Sequence, residues 1–119
     1  MKRPSDKEIS KRIKEAREAV AEGRIGVLNQ EAIATDALEL GYLAEEELEF
    51  VLSELLDLIS PVHYAGARPP QRSYEQIIKD LELFAFDVIS PRFNCPIYLK
   101  FVLSTQVLWL VSLHKSRSR

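Results

Sequence analysis

The sequence predicts an α+β domain in which N-terminal helices pack on one face of a small antiparallel sheet. Three observations carry this expectation. Apolar residues recur at helical intervals through the first half of the chain, and at strand intervals in the last third. Residues 97–113 form a nearly apolar stretch broken at Ser104, Thr105 and Gln106, which reads as a buried hairpin. Lys100 and that break make the stretch too polar and too short for a membrane span.

The elements follow in order. Ser5 and Glu8 have capping-box spacing, and Ile9, Ile13, Ala16 and Val20 then repeat at helical intervals until Gly23. Residues 24–28, with Ile25, Val27 and Leu28, are too short for a helix and read as an edge strand. Asn29 caps a second helix over Gln30–Leu40 that Gly41 stops. A third helix spans residues 44–59, with Leu48, Val51, Leu52, Leu55 and Leu56 as its buried stripe. Pro61 closes it and opens a loop over residues 62–72, where Gly66, Pro69 and Pro70 exclude regular structure. Ser73 and Gln76 offer a second capping box for a short helix through Lys79. Residues 83–89 are the next strand, and residues 91–96 connect it to the hairpin.

Side chains alternate along a strand, so Ile97, Leu99, Phe101, Leu103, Val107, Trp109, Val111 and Leu113 can share the core face. That grouping requires a loop of odd length, formed by Ser104, Thr105 and Gln106, with Leu103 opposite Val107 and Tyr98 opposite Ser112. A two-residue loop at Thr105 and Gln106 would mix Trp109 with Lys100 and turn His114 into the core. Register follows the buried face, so the three-residue loop is expected. The second face then carries Tyr98, Lys100, Ser112 and His114.

With 119 residues, 46% of them apolar, the chain suits one domain with one core. The N-terminus lacks the apolar stretch of a signal peptide, and the single cysteine, Cys95, fits a reducing cytosol. The net charge of −2 conceals a division, because residues 31–60 hold nine acids and no base whereas residues 61–119 hold eight bases against four acids. Any nucleic-acid contact is therefore expected on the C-terminal half, and Glu45, Glu46, Glu47 and Glu49 read as a solvated helix face. His63, Cys95 and His114 lack zinc-site spacing. Glycine-rich phosphate loops, nucleophile elbows and a basic recognition helix are absent from the sequence, so no cofactor is expected.

The loop from His63 to Tyr74 gathers Arg68, Gln71 and Arg72 with a histidine and two tyrosines. Guanidinium groups grip phosphate bidentately and aromatic rings stack on unpaired bases, which suits single-stranded RNA. A structural role is equally open for the arginines, since Arg68 and Arg72 can pair with acids such as Asp57 or Glu75, and packing over the core is the favoured reading of Tyr64 and Tyr74. Lys115 begins a basic tail that adds to the RNA-binding set. Cleaving RNA with side chains alone needs a base for the 2′-hydroxyl, an acid for the leaving 5′-oxygen and a cation for the phosphorane. His114, Tyr98, Lys100 and Arg68 fill those roles if they converge. Histidine suits the proton transfers because its ordinary pKa is about 6.5.

A set of short motifs recurs in order: Ala21-Glu22-Gly23-Arg24-Ile25, Ala37-Leu38-Glu39-Leu40-Gly41, Asp87-Val88 followed by Pro91, Tyr98-Leu99-Lys100, and Leu110-Val111-Ser112. Together they resemble the MqsR family, motility quorum-sensing regulator toxins with a RelE-like fold. The resemblance implies a metal-independent endoribonuclease that cuts messenger RNA in the cytoplasm and is neutralised by a cognate antitoxin, in a complex that can include a toxin dimer. The family's catalytic tyrosine corresponds to Tyr98, and its lysine after Val-Ser-Phe to His114. Its other lysine corresponds to Ala65 and its glutamine to Phe86. A second class of function is a binding module without catalysis, in which the acidic third helix or the hairpin edge recruits a protein.

Overall fold

The Ser5 hydroxyl accepts a hydrogen bond from the Glu8 amide at 3.1 Å and starts α1 (Asp6–Ala21), as the capping-box spacing predicts. In this computed structural model, which describes residues 4–66 and 78–116, α1 buries Ile9, Ile13, Ala16, Ala19 and Val20. Helix α2 (Gln30–Leu40) begins where the Asn29 side chain accepts from the Ala32 amide. It ends at Gly41, whose φ of 91° is the left-handed conformation that favours glycine. Helix α3 (Ala44–Leu58) buries Val51, Leu52, Leu55 and Leu56, with Leu48 at the rim of the core. A single 3₁₀ turn, Pro61–His63, follows. The loop residues 67–72 and most of the short helix predicted from Ser73, with Tyr74 and Glu75, lie outside the described residues.

Among the described residues four strands form one sheet: β1 (Ile25–Val27), β2 (Phe84–Ser90), β3 (Cys95–Ser104) and β4 (Val107–Lys115), in the order β1-β4-β3-β2. The architecture is α+β, as expected, but the sheet is mixed. Strands β2, β3 and β4 are antiparallel, whereas β1 lies parallel to β4, with Gly26 beside Trp109. Gly26 is required there, since an added Cβ would stand 2.4 Å from the Trp109 ring. The main core fills the space between the helices and one sheet face, where Phe86 and Phe101 stack at 5.8 Å. Tyr64 packs edge-on against Phe86 and is buried, in line with its structural reading.

The hairpin departs from the expected register. Its loop has two residues, with Ser104 opposite Val107 and Leu103 opposite Leu108. Thr105 and Gln106 both have positive φ, 48° and 67°, the geometry of a type I′ turn. The odd residue sits in β4 instead: Lys100 faces Ser112 while Phe101 faces Leu110, so Val111 is the extra residue of a β-bulge. Leu108 and Leu110 therefore join Ile97, Leu99, Phe101 and Leu113 in the core, and Trp109 and Val111 turn to the second face. There they meet a satellite cluster built on Ile78, Leu83 and Val102. The bulge restores phase beyond Val111, which keeps His114 out of the core despite the short loop. Along the hairpin, β2 pairs with residues 95–101 of β3 and β1 with residues 108–110 of β4.

Candidate functional site

The bulge decides which polar groups meet. Beyond it, Tyr98 lies opposite His114 rather than Ser112, and on its other side Tyr98 lies opposite Asp87 of β2. Asp87, Tyr98 and His114 thus form one row across three strands, each half-buried, and Lys100 and Ser112 form the next. The satellite cluster covers the turn end of this face and leaves the polar rows at the strand end.

The rings of Tyr98 and His114 stack, with centroids 5.3 Å apart and planes inclined by 27°. The Lys100 ammonium nitrogen stands 5.9 Å from the Tyr98 ring centroid, within reach of the aromatic face. His114 Nδ1 lies 2.8 Å from the Lys115 carbonyl oxygen, which can only accept. Nδ1 therefore carries hydrogen, and in the neutral ring Nε2 is the basic nitrogen. Burial, then the Asp87 carboxylate, raises the Tyr98 pKa above its ordinary value, so the phenol holds its proton more firmly than a free tyrosine does. Asp87 Oδ2 in turn accepts a hydrogen bond from the Ser116 hydroxyl at 3.1 Å, tying β2 to the end of β4.

Tyr98, His114 and Lys100 of the sequence-predicted set come together. His63 does not join them in the row: its Nδ1 accepts the Ser60 amide at 3.0 Å, and it lines a groove at the outer edge of β2 with Leu58, Asp87, Val88, Ile89 and Pro96. Lys115 sits opposite Ile97, one residue past His114, so strand alternation assigns it to the other sheet face. Arg68, Gln71 and Arg72 lie outside the described residues. Asp57, one of their expected partners, stands 3.7 Å from Arg17. Asp87 was not among the expected site residues. Its motif with Val88 was visible, but its place beside Tyr98 depends on a cross-strand register that the motif does not carry.

The two positions that depart from the resembled pattern have clear structural settings. Phe86 is fully buried in the main core. Ala65 is exposed beside β2, its amide donating to the Ala85 carbonyl at 2.8 Å. Elsewhere, a polar cleft between α1 and the β3–β4 turn holds Arg12, Glu15, Glu18, Glu22 and Arg24, but none of the expected site residues. Among the described residues no helix is long and apolar enough to cross a membrane. Compared with known proteins, the chain matches no family model, and no curated protein is significantly similar to it.

Proposed function

We propose that the chain is a metal-independent endoribonuclease of the MqsR kind with a RelE-like architecture, the toxin of a type II toxin-antitoxin pair that cuts single-stranded messenger RNA in the cytoplasm. The observation that carries the reading is the stacked Tyr98–His114 pair with the Lys100 ammonium beside it. These three groups supply the base, acid and cation that phosphodiester transfer requires.

In this mechanism His114 Nε2 takes the proton of the 2′-hydroxyl. The 2′-oxygen bonds to phosphorus as the bond to the 5′-oxygen breaks, and the Tyr98 hydroxyl gives its proton to that leaving oxygen. Lys100 offsets the charge that builds on the phosphorane. The products are a 2′,3′-cyclic phosphate and a free 5′-hydroxyl, after which His114 returns its proton to the Tyr98 phenolate. Asp87 disfavours the phenolate, which favours return of the proton to Tyr98 after cleavage while making the phenol a weaker acid in the forward step. Arg68, Gln71 and Arg72 serve as backbone-phosphate ligands in this reading. His114, with Arg68 and Arg72, stands in for the lysine and glutamine that Ala65 and Phe86 replace.

Purified protein is expected to cut single-stranded RNA in the presence of a chelator and leave cyclic phosphate ends. Replacing His114→Ala should slow cleavage by about a hundred- to ten-thousandfold, the range of general acid-base help. Unchanged cleavage by the His114→Ala, Tyr98→Phe double variant would reject the site. Expression alone should arrest growth, and co-expression of the gene product encoded beside it should relieve the arrest.

A further inference from the structure

Helix α3 has a second stripe, flanking its buried one. Leu43, Glu47, Phe50, Glu54 and Leu58 follow one another at intervals of three or four residues, so they line one face over about 22 Å of helix. Its apolar members are exposed, Leu43 by 50%, Phe50 by 56% and Leu58 by 39%. Such a spacing of large apolar side chains on a helix is the pattern that normally meets another helix. The surface around it is acidic, since residues 31–60 contain nine carboxylates and no cation. Phosphate is therefore repelled and a cationic partner attracted.

Arg92, reaching over from the β2–β3 connection, displays the chemistry this stripe accepts. Its guanidinium donates two hydrogen bonds to Glu54, at 2.5 and 3.0 Å, and its carbon lies 4.8 Å from the Phe50 ring centroid. One group thus satisfies the acid and covers the aromatic ring together, which a planar guanidinium does better than an ammonium. Arg92 occupies only the middle of the stripe.

We propose that this face of α3 docks an amphipathic helix of a partner protein, with leucine-like residues against Leu43, Phe50 and Leu58 and flanking arginines against the carboxylates. The surface is separate from the Tyr98–His114 pair, so the inference stands apart from the nuclease reading. The test uses the full chain and a fluorescent synthetic peptide of about 18 residues, long enough to lie along the stripe, with leucines on one helical face and arginines beside them. Binding by anisotropy is expected, and it should weaken by about tenfold or more in Leu43→Ser and in Phe50→Ser, as removal of a central apolar anchor does. Leu43 is the N-cap of α3, where serine is a favoured residue, so loss of binding in that variant does not reflect a weakened helix. Glu31→Lys, a charge reversal on α2 that leaves the apolar stripe intact, should leave binding within about twofold. No binding, binding that survives both serine variants, or equal binding of a scrambled peptide without an apolar face would overturn the proposal. RNA plays no part in the measurement, so neither inference falls with the other.

Discussion

The second face of the sheet has two halves, made from the same two strands, that do opposite things. Near the turn, Val102 is fully buried and Trp109 lies over Gly26, with Ile78 and Leu83 completing a small apolar cluster. Past Val111, the face carries Asp87, Tyr98, Lys100, Ser112 and His114, all half-buried. A single extra residue separates them. Without the bulge, a two-residue turn would set His114 against Ile97 in the core and Leu113 against Tyr98 outside. The difference teaches that the polar row depends on a backbone irregularity as much as on the identity of its side chains.

Inserting one alanine between Lys100 and Phe101, opposite Val111, tests that dependence and has the largest expected effect. The inserted residue gives Val111 a partner and abolishes the bulge, so everything beyond it flips faces, burying His114 and exposing Leu113, at a cost of at least about 3 kcal/mol. Urea unfolding followed by circular dichroism measures it, and an insertion variant as stable as the parent would show that the register is not fixed by the bulge. The turn half is tested by Gly26→Ala, whose methyl group would meet the Trp109 ring. Because the neighbour is a packed aromatic rather than a flexible tip, about 1–3 kcal/mol of destabilisation is expected in the same assay. A neutral outcome would mean that Trp109 does not rest on β1.

The helices were legible because their signals are local. Ser5 with Glu8, Asn29 and Gly41 mark the ends of α1 and α2 where the structure has them, and the spacing of Val51, Leu52, Leu55 and Leu56 marks the inward face of α3. The hairpin register was not legible, for two reasons. Thr105 and Gln106 form a turn with positive φ without the glycine or asparagine that announces one, at a cost of about 1–2 kcal/mol per residue that neighbouring sheet packing offsets. A bulge then returns Leu113 and His114 to the faces expected of an odd loop, so correct facing concealed a different pairing. Tyr98, Lys100 and His114 were recognised as one face for this reason, while Asp87 was missed. The parallel pairing of β1 rests on contacts distant in sequence and leaves no mark in three residues.

Two tyrosines sharpen the contrast between a closed environment and the open half. Tyr42, in the main core, has a buried hydroxyl without a hydrogen-bond partner among the described residues, and burial, Asp36 and Glu47 push its pKa up to about 12. Tyr98 is raised as well, by burial and by Asp87, from its half-buried place in the row. A phenol whose folded-state pKa exceeds its unfolded value of about 10 favours the folded protein below that pH, and the contribution is lost as pH rises through the folded value. Stability is therefore expected to fall between about pH 10 and 12, with Tyr42 as a source. Tyr42→Phe should flatten that fall and, by removing an unpaired buried hydroxyl, stabilise the protein by about 1 kcal/mol at neutral pH. A variant that retains the full alkaline loss would assign it to other groups.

The smallest expected effect on stability belongs to Tyr98→Phe, and it separates the two halves most cleanly. The ring that stacks on His114 is kept, and the hydroxyl removed is at the half-buried rim, so thermal or urea unfolding should change by no more than about 0.5 kcal/mol. Removing the nearby Asp87 carboxylate gives a different result: in Asp87→Asn the Ser116 hydroxyl keeps an acceptor, while the phenol loses the charge that opposes its ionisation. Tyrosinate absorbance should then appear at lower pH than in the parent, and the shift should vanish in the Asp87→Asn, Tyr98→Phe double variant. If Asp87→Asn leaves the titration unchanged, the row is only a set of neighbours. If the shift appears while Tyr98→Phe remains as stable as the parent, the open half holds a phenol whose ionisation is set by its neighbour and which the fold itself does not need, as expected of a group kept for function rather than stability.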